Sequence, residues 1–124
     1  MRTRVLGVLA ATAAFAGVMA TAPSAFAEGN PPGCPKGYFC AYSGWDQSGT
    51  LLLKTWGNWS GSIPNVKSTF NNGLPDAGAD HVDQSYAWRS GNYTACLHYN
   101  PGPGEYKINW DNITLTAVRW RGEC

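Results

Sequence analysis

Tyr42-Ser43-Gly44-Trp45-Asp46-Gln47-Ser48-Gly49, followed by Thr50-Leu51, returns 46 residues later as Trp88-Arg89-Ser90-Gly91-Asn92-Tyr93-Thr94-Ala95, followed by Cys96-Leu97. A second echo lies at nearly the same offset, Asn65-Val66-Lys67-Ser68-Thr69 against Asn112-Ile113-Thr114-Leu115-Thr116. Two copies of a unit of about 45 residues imply two structural halves of similar design. Each copy joins an aromatic residue to a glycine-bearing bend, where one ring covers the turn and glycine permits a positive φ.

Around these repeats, short apolar or alternating runs recur at 37–42, 50–56, 85–88, 94–99 and 114–120. Ser43-Gly44, Gly57-Asn58, Asn71-Asn72-Gly73, Ser90-Gly91-Asn92 and Pro101-Gly102-Pro103-Gly104 separate them as turn signals. No stretch outside the leader sustains a helical period, so the spacing predicts an all-β sandwich or barrel, and the repeat predicts two four-stranded Greek keys packed as one sandwich. The halves are expected at about 34–73 and 85–124, with 74–83 as the connection and Trp59 capping the core from a strand-joining segment.

The first 27 residues stand apart. Arg2 and Arg4 precede a small, apolar stretch that ends at Pro23-Ser24 and Ala25-Phe26-Ala27, the pattern of a secretory signal peptide and its cleavage site. The exported chain is then 28–124, with 28–33 a flexible lead-in and 34–124 the folded domain. It carries seven basic and eight acidic side chains. That balance offers no basic surface for phosphates, so no nucleic-acid partner is expected, and no membrane contact after cleavage. A monomer is expected.

A domain of this size buries only about 65% of its unfolded surface and needs staples. Cys34, Cys40, Cys96 and Cys124 are an even set in an exported chain, hence disulfides. Of three possible connectivities, Cys34–Cys40 with Cys96–Cys124 is expected: the first pair is close in sequence, and the second ties the last residue to a strand. The spacings of these cysteines with His81 and His98 are not those that set two zinc ligands on one turn, so no metal site is expected from them.

Enzyme chemistry finds no pattern. Asp80-His81-Val82-Asp83 sets carboxylates beside an imidazole, but no nucleophile elbow or His-Glu-x-x-His pair accompanies it. The protein is not expected to be an enzyme and no cofactor is required.

The aromatic-and-glycine spacing resembles the hallmark of the βγ-crystallin superfamily, with Gln47 in place of the second aromatic in the first copy and Ala95 in place of the glycine in the second. The block Cys34-Pro35-Lys36-Gly37-Tyr38-Phe39-Cys40-Ala41-Tyr42-Ser43-Gly44 resembles the start of a family of secreted bacterial inhibitors of thermolysin-like metalloproteinases, and Ser68-Thr69-Phe70-Asn71-Asn72-Gly73 is similar as well. The resemblance implies an extracellular peptidase as partner and substrate-like insertion of a strand or loop. It points to Cys96, Leu97, His98 and Tyr99 as the contact, with Leu97 in the enzyme's apolar pocket and His98 near its zinc. Trp59, Pro101 and Pro103 are the alternative contact. βγ-Crystallin domains often bind calcium through paired Asn/Asp–Ser/Thr stretches, which makes Asn65, Ser68, Asp111 and Asn112 the calcium candidates here. Two other readings remain: a secreted cell-wall or carbohydrate-binding module, motivated by six Trp in so small a chain, and a calcium-stabilised structural βγ-crystallin-like protein.

Overall fold

A computed structural model describes residues 26–124; nearly all of the expected leader lies outside the described residues. The chain forms β1 (Tyr38–Tyr42), a 3-10 turn (Trp45–Gln47), β2 (Leu51–Thr55), β3 (Trp59–Asn72), β4 (His81–Trp88), β5 (Gly91–Leu97) and β6 (Lys107–Arg121). All six strands join one antiparallel ladder in the order β2-β1-β3-β6-β4-β5. The all-β class and both expected disulfides are present, Cys34–Cys40 and Cys96–Cys124.

The order reads the same from either edge. β2-β1-β3 forms one half and β5-β4-β6 the other, three strands each rather than the expected four, each with its first strand in the middle and its third against the other half. This is the physical form of the repeat. Asn65 and Asn112, equivalent in the second echo, both hold positive φ, 59° and 54°. Each sits where the β3–β6 register slips, on either side of the Val66↔Ile113 pairing. An extra residue at such a bulge needs a conformation that Asn tolerates better than branched side chains do.

The bulges bend the two long strands and let the sheet close on itself. β3 and β5 are three steps apart in the ladder, about 14 Å if the sheet were flat. Yet Asn71 at the end of β3 donates from Nδ2 to the Leu97 carbonyl at 3.3 Å and to the Asp80 carbonyl at 2.9 Å. Gly73 lies so close to the Trp120 ring that an added Cβ would meet it at 2.8 Å. Inside the fold lie Phe39, Ala41, Val66, Val82, Leu97, Ile113, Leu115 and Val118, contributed by five of the six strands.

Three expectations change. The segment 57–64 is a loop only at Gly57 and Asn58: β3 takes up the rest from Trp59, and Gly61 and Pro64 fall within its register slips, where a missing N–H or Cβ costs no ladder bond. Asn71 and Asn72 do not turn the chain but finish β3, buried, with their amides hydrogen-bonded to neighbouring segments. The second half starts at His81, earlier than 85, so only part of 74–83 is a connection.

The lead-in is also held. Glu28 donates its N–H to Asn100 Oδ1 at 2.9 Å and accepts from Asn100 Nδ2 at 2.8 Å. Its carboxylate takes hydrogen bonds from Tyr106 (2.7 Å) and Lys107 (2.8 Å). Residues 28–33 have no strand or helix, but these contacts replace the flexibility expected of them.

The two hairpins differ. In the first half the 3-10 turn folds over and is pinned to the sheet: Asp46 and Asn109 exchange two 2.8 Å hydrogen bonds, and Ser68 Oγ accepts from Gln47 N and donates to the Gly44 carbonyl. In the second half, pairing continues to Trp88↔Gly91 and only Arg89 and Ser90 make the turn, with Arg89 at φ 54°.

Candidate functional site

The expected contact begins on β5. Leu97 is wholly buried, a member of the apolar core, so it cannot enter a partner's pocket while the fold persists. Alternation along β5 explains this, since Leu97 faces inward opposite Val82 while Cys96 and His98 take the other face. Cys96 is spent in its disulfide. His98 and Tyr99 are half-buried.

Beyond β5 the chain makes a tight excursion that returns as β6. His98 N donates to the Glu105 carbonyl at 2.8 Å and Gly102 N to the Tyr99 carbonyl at 2.7 Å. Asn100, buried beneath, donates its N–H to the Asn71 carbonyl, and its side chain grips Glu28. Gly102 and Gly104 hold φ 99° and 110°, a region that favours glycine. Gly104 rests on His98, whose ring an added Cβ would meet at 3.3 Å. Pro103, Gly104 and Glu105 are exposed, and Pro101 half-buried. The structure therefore joins the two sequence-derived contacts into one feature, the turn from His98 to Glu105, and removes Leu97 from it. Trp59 lies elsewhere, packed against the core.

The calcium candidates separate. Asn65, Asp111 and Asn112 line one surface cleft of about 410 Å³ with Ser43, Trp45 and Trp110, but Lys67 lines it too and brings a positive charge. Ser68 is fully buried and its hydroxyl is already committed to Gln47 and Gly44. Trp45 is exposed and donates from its indole N–H to the Trp110 carbonyl. Trp56, 76% exposed, lines a different cleft of about 430 Å³ with Asn58, Leu74, Asp76 and Trp120. The two exposed rings thus do not share one row.

One grouping was not legible in the sequence. The turn brings His98 against His81, and the C-terminal tail sets Glu123 beside them. The signal lay in strand register, which sequence spacing alone does not supply.

No helix among the described residues is long and apolar enough to cross a membrane. Compared with known protein families, curated proteins and solved structures, the chain matches none.

Proposed function

We propose that the chain is a secreted inhibitor of an extracellular peptidase, of the thermolysin-like zinc class that the Cys34–Gly44 block implies, and that it presents the His98–Glu105 turn as its contact. The observation that carries this reading is the preformed turn. The Cys96–Cys124 bond, the His98–Glu105 and Gly102–Tyr99 hydrogen bonds and the buried Asn100 fix its shape before any partner arrives. A rigid loop loses little conformational entropy on docking, which raises affinity at constant contact area. Two disulfides in a small domain accord with an oxidising, extracellular setting. The βγ-crystallin-like pairing of two Greek keys belongs to the same proposal, supported by the approximate two-fold relation of the halves.

The test titrates purified, oxidised protein against a thermolysin-like enzyme, with a serine protease in parallel. Saturable inhibition of the metalloenzyme alone is expected, weakened at least about tenfold in Glu105→Arg, an exposed side chain of the turn whose change leaves the melting temperature unaltered. No response at micromolar protein would overturn the proposal.

A carbohydrate-binding reading is favoured by one observation, the exposed Trp56 ring beside Asn58 and Asp76. Stacking of a sugar on that ring predicts retention on an insoluble polysaccharide that is lost in Trp56→Ala.

A further inference from the structure

His81 opens β4 and His98 follows β5 by one residue. Because Val82 pairs with Leu97, the next step of the register sets the two imidazoles opposite each other. Their ring centroids are 4.3 Å apart, nearly perpendicular. The C-terminal tail crosses the same place: Arg121 pairs with His81, and Cys124 is bonded to Cys96, so Glu123 is anchored from both sides. Its Oε2 lies 3.7 Å from His81 Nε2, and one donor atom from each of His81, His98 and Glu123 lies within 4.8 Å of the other two.

The tautomers of both rings follow from their partners. His81 Nδ1 is 2.5 Å from Asp80 Oδ1, and the other oxygen of that carboxylate accepts from the Asp76 N–H at 2.9 Å, so Asp80 takes the ring's hydrogen bond. His98 Nδ1 is 2.9 Å from the Tyr99 carbonyl, which has no proton to give. Both rings therefore carry hydrogen on Nδ1 and turn Nε2 to other use. His81 is 1% exposed, and its Nε2 has no hydrogen-bond partner among the described residues. A buried nitrogen left unpaired is unfavourable unless something binds it. A histidine whose second nitrogen is held by a carboxylate or a carbonyl is the usual arrangement of a metal ligand.

We propose that His81, His98 and Glu123 bind a zinc ion, with the fourth position open. Two imidazoles and a carboxylate are a zinc donor set, whereas calcium selects oxygen ligands throughout. Tetrahedral zinc places its donors about 3.4 Å apart. Glu123, whose side chain is 87% exposed, can rotate to bring its carboxylate to that distance from the imidazoles. Asp80 and Glu123 together match the charge of the ion. Arg121, the nearby cation, is engaged with Asp83 and with the main-chain carbonyl of Glu123, not its carboxylate. The ion clips the C-terminal tail to β4 and to the base of the His98–Glu105 turn. This inference does not depend on the inhibitor reading.

The test takes purified, disulfide-intact protein stripped by a chelator and titrates it with zinc by calorimetry, and with cobalt by visible absorption. One equivalent binds with a micromolar or tighter dissociation constant, and the melting temperature rises and saturates with it. His98→Gln and Glu123→Ala each weaken binding at least about tenfold, and Asp80→Asn weakens it about 10- to 100-fold while leaving the three donors in place. Glu123 lies on the exposed tail, so Glu123→Ala keeps the metal-free melting temperature and decides the matter even if a histidine variant folds poorly. Absence of saturable binding, or binding unchanged in Glu123→Ala, overturns the site.

Discussion

Val66 of β3 and Ile113 of β6 pair across the central ladder, and each is the other's counterpart under the 47-residue repeat. The approximate two-fold axis of the molecule therefore passes through this pair, whose side chains are both buried. The positive-φ asparagine just before each makes the bend on its own side. Asn65 and Asn112 are exposed, so replacing either leaves the core untouched. Asn65→Val or Asn112→Val is expected to cost about 1–2 kcal/mol through left-handed strain alone. Asn65→Gly should be tolerated. Urea midpoints at constant m-value check both.

Gln84 lies on β4 with its amide nitrogen and oxygen both buried and unpaired among the described residues. Leaving such groups unsatisfied costs about 1–3 kcal/mol, so Gln84→Leu, similar in volume, should stabilise by about 1 kcal/mol or more. A higher melting temperature for this variant is the expected reading; a lower one would mean that the amide has a use in the fold.

The two disulfides close loops of different length, with sequence separations of 28 and 6. Loop-closure entropy gives the Cys96–Cys124 bond about 3.6 kcal/mol and the Cys34–Cys40 bond about 2.2 kcal/mol. Cys96→Ser with Cys124→Ser should accordingly unfold at lower denaturant than Cys34→Ser with Cys40→Ser. Removing the C-terminal bond also frees Glu123, so that variant should lose zinc affinity while the N-terminal one keeps it.

The stability profile should have an acid limb and an alkaline one. Burial raises the carboxyl pKa of Glu28 and of Asp80, but hydrogen bonds from Lys107 and Tyr106 to the first, and from His81 and the Asp76 N–H to the second, outweigh it and hold both below the usual range. A depressed folded value gives stability that is present above the ordinary carboxylate range and lost as pH falls through the folded value. Tyr42, by burial, and Tyr106, by its hydrogen bond to Glu28, are pushed up to about 12. Their contribution is complete below the ordinary tyrosine value and lost as pH rises toward 12. Glu28→Gln should flatten the acid limb and bring Tyr106 back toward its ordinary value in a near-ultraviolet titration.

Much of the strand layout was legible because β1, β2 and β5 are short runs bounded by turn residues. The long strands hid their length. Gly61, Pro64 and Asn65 in β3, and Asn109, Asp111 and Asn112 in β6, read locally as turn formers, yet most of them fall at register slips where the ladder makes no demand on them. Asn71-Asn72-Gly73 misled for a related reason. Asparagine serves turns by bonding its own backbone, but here Asn71 and Asn72 also bond distant carbonyls, those of Leu97, Asp80 and Cys34, which no local window contains.

The sequence by itself determined the all-β class, the presence of two disulfides and the existence of two related halves, because alternation, cysteine count and repetition are properties of the chain read in order. Tertiary structure decided which side of β5 faces the core, since a single register step buries Leu97 and leaves His98 half-buried on the other face. It also decided that His81, His98 and Glu123, spread over 43 positions of the chain, come together. That meeting depends on strand pairing and on one disulfide closing over it. Neither is encoded in the spacing of the three residues.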